Sequence, residues 1–193
     1  MAKKENVGDM SEWSGMLKDF FRQIDDESIT REHLKAILEH RNPFDPEEKQ
    51  YITIIDDGKK KTSEIIAELR KSMPVRVYYN EDKIDEEFPA PKEPTSRKFL
   101  LTQEADEDLK NKSANDLEQE GISGITLRER LLYELGYFNK TRQHLDIENI
   151  TLCSGSRDAD GHVPCVDWSS GKLYVGWHNP SYRHDFLRSR RAV

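Results

Sequence analysis

The C-terminal segment, residues 151–193, holds the side chains that could carry chemistry. It contains three histidines, four aspartates and both cysteines of the chain. Imidazole, thiolate and carboxylate groups could bind a metal ion, and a thiol beside a histidine could act as a nucleophile. The residues that raise these questions are Cys153, Asp158, Asp160, His162, Cys165, His178, His184 and Asp185.

A metal site is not predicted, because the spacing of these residues fits no common zinc or calcium pattern. Five residues separate His178 from His184, but no cysteine pair precedes them at zinc-finger spacing. The sequence DADGH, residues 158–162, resembles the start of a calcium loop but lacks the downstream glutamate that an EF-hand requires. No metal or other cofactor is therefore expected.

The two cysteines are too few for a disulfide framework. A single bridge across a hairpin could form, but two unrelated thiols, one buried and one exposed, are favoured. The sequence shows no recognisable group that would orient a histidine beside Cys153 or Cys165. Nucleophilic catalysis is therefore disfavoured.

The residue types of this segment favour binding instead. It has no Glu, Gln or Met, yet it holds two of the three tryptophans. Tyr and Trp offer rigid contact area at low entropic cost, while Ser and Gly adapt to a partner. The simpler alternative is that a strand-rich segment disfavours Glu and Gln.

The distribution of charge bears on the class of partner. Residues 151–193 carry six basic and four acidic side chains, a net charge of +2, while the whole chain carries −7, which leaves −9 for residues 1–150. An acidic body argues against nucleic-acid binding. No apolar stretch of about 18 residues is present, so no membrane span is predicted. The start, MAKKENVGDM, lacks an apolar signal core, which predicts synthesis in the cytoplasm.

Two strands joined by a tight turn are predicted to position the candidate side chains. Residues 164–168 and 172–178 alternate with a period of two, and the sequence Ser-Ser-Gly between them suits a hairpin turn. The side chains predicted to point inward are Val166, Trp168, Leu173, Val175 and Trp177. Those predicted to point outward are Cys165, Asp167, Tyr174, Gly176 and His178.

The rest of the chain predicts a mixed scaffold of helices and strands. The strongest helix signal follows Thr126 and Glu129, which have the spacing of a capping box, and continues into one apolar stripe. That stripe consists of Leu127, Leu131, Leu135 and Phe138. Arg188, Arg190 and Arg191 are predicted to pair with carboxylates of the body. Further helices are predicted at 11–23, at 62–70, within 104–120 and in a segment that begins at Ser28 or Thr30. Strands are predicted at 51–55, 75–79 and 98–103. Residues 80–97 are predicted to form a connector on the surface.

Residues 120–193 resemble the C-terminal part of proteins that diversity-generating retroelements diversify. The resemblance rests on ITLRERLLYELGYF, on LDIENITLCSGSRD, on the strand pair and on the final LRSRRAV. In that family an RNA template is copied with errors at adenines. Asparagine codons can then become codons for Ser, Tyr, Cys, Asp, His, Gly, Phe or Arg, but not for Glu, Gln, Lys, Met or Trp. The outward positions hold residue types that these mutated codons can encode. Lys172 departs from it, so the resemblance implies that Lys172 is fixed.

The resemblance implies an α+β protein in which residues 98–193 form a C-type lectin-like domain, related in fold to formylglycine-generating enzymes. Its variable region would cover about 151–193. The resemblance does not explain residues 1–97, whose own patterns predict an N-terminal helical and mixed lobe with the acidic, proline-rich connector. By this resemblance the protein is not an enzyme and binds a macromolecular ligand, expected to be a protein. The implied contact residues are Asp158, Asp160, His162, Cys165, Asp167, Ser169, Ser170, Tyr174, Gly176, His178, Ser181, Tyr182, His184, Asp185 and Phe186.

Two alternatives remain at this stage. One is an enzyme of the formylglycine-generating type, which uses cysteines, although Cys153 and Cys165 stand in no context that matches that active site. The other is a protein-interaction module without diversification.

Overall fold

The computed structural model describes residues 10–25, 29–30, 33–35 and 49–193, and the chain divides into two compact units, residues 1–49 and 50–193. In the first unit, helix α1 spans Met10–Asp25, which confirms the helix predicted from apolar spacing. Residues 33–35 are helical. The remainder of the predicted second helix, including Ile37 and Leu38, lies outside the described residues.

The second unit mixes helices and strands, as the α+β prediction required. Its helices are α2 (Thr62–Arg70), α3 (Ile84–Glu87), α4 (Ala114–Gln119) and α5 (Leu127–Thr141), with 3-10 turns at Glu81–Lys83 and Glu107–Leu109. Its strands are β1 (Tyr51–Asp56), β2 (Val75–Val77), β3 (Thr95–Leu100), β4 (Ile150–Leu152), β5 (Val163–Ser169), β6 (Lys172–His178) and β7 (Leu187–Arg188).

The strands form two sheets. Strands β1 and β3 pair antiparallel, and the other five lie in the order β2-β6-β5-β4-β7, with β2 parallel to β6 and β4 parallel to β7. Strand β3 crosses position 97, where the sequence suggested a boundary between domains. Strand β1 pairs with β3 and strand β2 pairs with β6, so residues on both sides of position 97 belong to one compact unit, which begins at residue 50.

Helix α5 is central to the core, as its apolar stripe predicted. The Thr126 hydroxyl accepts a hydrogen bond from the backbone N–H of Glu129, and the Glu129 carboxylate accepts one from the backbone N–H of Thr126. This reciprocal capping box fixes where the helix begins. Leu127 and Leu131 are fully buried, while Leu135 and Phe138 pack against the core and are partly buried.

The prediction that residues 80–97 form a surface connector is wrong. Ile84 and Phe88 are buried in the main core, four residues apart, so one face of the short helix α3 packs inward. The Asp85 carboxylate accepts hydrogen bonds from the backbone N–H and the hydroxyl of Ser63, at 2.8 and 2.7 Å, at the start of α2. An acidic run that looked solvated in the sequence therefore supports a helix terminus.

The surface helix predicted within 104–120 is confirmed only over α4. Residues before it form a 3-10 turn and loops, and Ala114 and Leu117 of α4 are buried. The helix begins at a second capping box, in which Ser113 and Asp116 exchange hydrogen bonds.

The C-terminal arginines bind carboxylates of the body, as predicted. Arg188 contacts Glu107, Arg191 contacts Asp108, and Arg190 contacts Asp146. The Arg190 Nη2 lies 2.7 Å from Asp146 Oδ1, and both side chains are fully buried.

This buried pair is part of a larger charge cluster beneath the five-stranded sheet. Arg130 Nε donates to Asp146 Oδ2 at 2.8 Å, and Arg130 Nη1 donates to Glu134 at 2.9 Å. The Asp146 carbonyl also accepts a hydrogen bond from the backbone N–H of Trp168 in β5. Two arginines and two carboxylates thus neutralise one another, and their hydrogen bonds tie α5 and the chain's last residues to the hairpin.

Candidate ligand-binding surface

Strands β5 and β6 form the hairpin that the alternation predicted. The ladder closes at Ser169 and Lys172, and the two residues between them, Ser170 and Gly171, have φ angles of 49° and 73°. Positive φ at both central positions defines a type I′ turn, whose twist matches that of the strands. The register places Cys165 opposite Gly176 and Asp167 opposite Tyr174, so all four lie on the same face.

The inward face is confirmed except at one end. Val166, Leu173 and Val175 are fully buried, and Trp168 packs partly buried against the core. Trp177, predicted to be buried, is 47% exposed. Trp177 lies two residues beyond Val175, the last residue of β6 that pairs with β2, and it remains paired with Pro164 of β5.

The outward face is more enclosed than predicted. Cys165 is only 7% exposed, whereas Asp167, Tyr174, Gly176 and His178 are half-buried. The cause is β2, whose next residue, Tyr78, lies level with Gly176 and covers this part of the face. An added Cβ on Gly176 would lie 3.5 Å from the Cys165 sulfur and 3.8 Å from the Tyr78 ring.

Both cysteines are free and buried, so the expectation of one exposed thiol is wrong. Burial raises the pKa of Cys165 to about 12, with a further contribution from the nearby Asp167 carboxylate. Burial also raises the pKa of Cys153 well above its usual value. Both thiols are therefore protonated near neutral pH, and a protonated thiol is a poor nucleophile.

An open cavity of about 380 Å³ lies on the outward face of the hairpin, and we call it the hairpin cavity. The rings of Tyr78 and Tyr174 lie nearly parallel, with centroids 6.2 Å apart and 13° between their planes. Burial raises the pKa of the Asp167 carboxyl, and a hydrogen bond from Ser169 opposes that shift. The lining residues are Tyr78, Cys165, Asp167, Ser169, Tyr174, Gly176 and Trp177.

A row of aromatic side chains continues from the end of β6, and we call it the ring row. The His178 and Tyr182 rings stack with centroids 4.7 Å apart, Tyr182 and His184 are 6.3 Å apart, and His184 and Phe186 are 3.6 Å apart. Tyr182 and Phe186 are 39% and 37% exposed. Burial lowers the pKa of His178, and the neighbouring His184 lowers it further.

Salt bridges and turns hold the loop that carries the ring row. Arg183 bonds to Asp116 in α4, and the Ser181 hydroxyl donates to the Asn179 side chain at 2.8 Å. Asp185 is exposed, and its carbonyl accepts a hydrogen bond from Arg188. The loop therefore presents Tyr182, His184 and Phe186 from a defined backbone.

The remaining candidates, in 158–162, have mixed roles. The Asp158 carboxylate accepts hydrogen bonds from the backbone N–H groups of Asp160 and His162, at 3.0 and 2.8 Å, so it shapes the turn. Asp160 is exposed, and the His162 ring packs on Trp177 with centroids 4.2 Å apart. Within the described residues, no three His, Cys, Asp or Glu side chains are grouped to hold a metal ion.

Sequence reasoning missed Tyr78 and Trp177 as members of the site. Tyr78 lies within the predicted strand VRVYY, residues 75–79, but nothing in the sequence indicates that this strand pairs with β6, about 100 residues away. Trp177 fits the inward alternation, so the sequence placed it in the core and not beside the cavity. The strand pairing in the folded chain decides both positions.

The comparisons add no identification. Neither protein-family models, nor curated proteins, nor solved structures give a match to this chain. Across the described residues, no helix has the length and apolar character needed to cross a membrane. The structure alone therefore defines the class, a mixed α+β protein.

Proposed function

We propose that this protein binds a macromolecular ligand, a protein, through a surface diversified by a retroelement and displayed on a C-type lectin-like scaffold. It catalyses no reaction. One observation carries the proposal: a single hairpin and the loop after it direct nine of the fifteen candidate residues onto two adjoining surfaces. The hairpin cavity takes Cys165, Asp167, Ser169, Tyr174 and Gly176, and the ring row takes His178, Tyr182, His184 and Phe186.

The two faces of the hairpin have different roles: one packs in the core and the other carries the candidate contact residues. A surface that varies needs such a division. Val166, Leu173 and Val175 fill the core on one face, and the charge cluster around Asp146 lies beneath them. The outward side chains other than the buried Cys165 can change with little effect on that core. A rigid scaffold with substitutable surface positions is a common basis for varied binding.

Two residues that mutated asparagine codons cannot encode also stand in supporting roles. Trp168 packs against the core, and Lys172 closes the hairpin ladder opposite Ser169. This placement supports the reading in which the scaffold stays fixed while its outward neighbours vary.

The enzyme alternative gains no support from the two thiols. Reactive cysteines stand in partly exposed, electropositive surroundings that lower the thiol pKa. Burial raises the pKa of both Cys153 and Cys165. A binding surface accounts for the exposed aromatic residues without any such chemistry.

The diversification part of the proposal is tested on the DNA around the gene. We expect a near-copy of the segment that encodes residues 151–193, differing mainly where the copy has adenine, beside a reverse transcriptase gene. A complete genome without such a copy would contradict diversification and leave a plain interaction module.

The binding part is tested with a library of displayed random peptides selected on the immobilised full chain. The quadruple alanine variant of Tyr174, Tyr182, His184 and Phe186 removes the outward aromatic residues. Binding anchors of this kind often cost more than about 2 kcal/mol each when truncated. We expect selected peptides to lose binding to this variant while its thermal unfolding stays that of the wild type.

A matched control is the double alanine variant of Tyr51 and Ile55, which are 47% and 62% exposed on β1, away from the hairpin. It removes exposed apolar surface but should leave peptide binding intact. The proposal fails if the quadruple variant unfolds, if it still binds the selected peptides, or if the control loses binding equally.

A further inference from the structure

We infer that the hairpin cavity receives a positively charged side chain of the ligand, an alkylammonium or guanidinium group. This inference rests on the proposed function, because it specifies which chemistry part of that same surface recognises. The cavity combines aromatic walls, one carboxylate and no positive charge of its own. Each of these features favours a cation.

The nearly parallel rings of Tyr78 and Tyr174 lie at the cavity, whose lining also includes Trp177. The faces of aromatic rings attract cations within about 6 Å of the ring centroid. The Tyr78 ring already holds one cation in this way, since the Arg76 guanidinium carbon lies 5.3 Å from its centroid. Arg76 does not line the cavity, so the cavity itself remains open to a cation from the ligand.

Asp167 is the one carboxylate among the seven lining residues, and none of the seven is Lys, Arg or His. Its side chain is half-buried, and burial raises its pKa because the charged form has lost part of its hydration. A cation placed beside the Asp167 carboxylate would compensate for this lost hydration by direct electrostatic attraction. The nearby Cys165 thiol is neutral, so it does not oppose the cation.

Gly176 keeps the cavity open. Its backbone does not adopt a positive φ, and an added Cβ would make only ordinary contacts with Cys165 and Tyr78. A larger side chain at this position is therefore compatible with the strand but would enter the space between those two residues. Because residue 176 is one of the proposed variable positions, its size determines whether a variant has the cation site.

The test uses the full chain labelled with ¹⁵N and follows the backbone amide signals of Gly176 and Trp177 by NMR. The probes are N-acetyl-lysine methylamide and N-acetyl-arginine methylamide, with N-acetyl-norleucine methylamide as the neutral control. We expect both cationic probes to shift the Trp177 signal and norleucine to bind at least tenfold more weakly. A tenfold ratio corresponds to about 1.4 kcal/mol, within the range of a cation–π contact.

Two variants test the carboxylate charge and the open space of the cavity separately. Asp167→Asn keeps the shape of the side chain and should weaken cation binding about tenfold. Gly176→Leu should abolish binding by filling the cavity. The matched control is Asp108→Asn, which removes an exposed carboxylate that neither lines the cavity nor belongs to the candidate contact residues, and it should leave the affinity unchanged.

The inference is overturned if norleucine binds as tightly as lysine, if neither cationic probe shifts the Trp177 signal, or if Asp167→Asn and Asp108→Asn behave alike. A folded Asp167→Asn variant decides the matter even if Gly176→Leu fails to fold. The proposed function is judged separately, by the peptide selection. If the selected peptides lose binding to the quadruple alanine variant, the proposed function stands even without a cation site. If the cationic probes bind but the selected peptides bind that variant as well as the wild type, only the proposed function is overturned.

Discussion

The buried charge cluster makes a quantitative prediction about the variant Asp146→Asn. The Asp146 carboxylate is fully buried and lies within 2.8 Å of Arg130 and 2.7 Å of Arg190. An asparagine of nearly the same size would remove the negative charge and turn an amide N–H₂ group towards one guanidinium. Removing one partner of a buried ion pair typically destabilises a protein by about 3–5 kcal/mol.

The cost should fall in that range because the remaining charges are poorly compensated. Arg130 would keep Glu134 at 2.9 Å, but Arg190 would keep only neutral oxygens, such as the carbonyl of Gln103 at 2.9 Å. Most proteins unfold with a free energy of about 5–15 kcal/mol, so the loss would be a large fraction of the total. The measurement is urea unfolding followed by circular dichroism.

The matched control is Asp108→Asn, which removes the partner of another C-terminal arginine, Arg191. That pair is solvent-exposed, with side-chain exposures of 64% and 39%, so its loss should cost less than about 1 kcal/mol. A cost below about 1 kcal/mol for Asp146→Asn, or one equal to the control, would refute the claim that the cluster stabilises the fold.

The same pair predicts how stability depends on pH. Burial alone would raise the pKa of Asp146, but Arg190 and Arg130 outweigh it, so the folded pKa lies below the unfolded value of about 3.9. Its contribution is therefore fully present above that unfolded pKa and is lost as the pH falls through the folded pKa. The stability difference between wild type and Asp146→Asn should stay constant from neutral pH to about pH 5 and shrink in stronger acid.

Three further predictions follow from burial and close packing. Leu131→Ala in the centre of α5 should lower the free energy of unfolding by about 2–5 kcal/mol, and an unchanged melting temperature would contradict the buried position. Gly155→Ala would place a Cβ 2.4 Å from the carbonyl oxygen of Gly124, so urea unfolding should show a loss of about 1–3 kcal/mol, and equal stability would refute the close approach. Cys153 and Cys165 should react with a thiol-specific disulfide reagent at pH 8 far more slowly in the native protein than in urea, and rapid native labelling would show that the thiols are not protected.

The elements near the site could be predicted where the signal is local. A period of two identified β5 and β6, and the sequence Ser-Ser-Gly identified their turn. The spacing of Thr126 and Glu129 located the start of α5. In each case the interacting residues are within a few positions of one another, so local backbone and side-chain preferences determine the outcome.

Prediction failed where burial depends on residues distant in the sequence. Residues 80–97 were predicted to form a surface connector, yet Asp85 accepts hydrogen bonds at the start of α2 and Ile84 is buried in the core. The C-terminal arginines were correctly expected to bind carboxylates, but the sequence did not indicate that Arg190 would share a fully buried Asp146 with Arg130. The sequence shows that a residue is charged, but it does not show how deeply that residue and its partners are buried.

The sequence by itself determined the hairpin, the central helix and which side chains of the hairpin share its outward face. Only the tertiary structure decided the shape of the surface that they form. The parallel pairing of β2 with β6 brings Tyr78 over Gly176, buries Cys165 and leaves Trp177 exposed past the end of β2. Alternation along a strand specifies which side chains share a face, whereas the fold of the whole chain determines what covers that face.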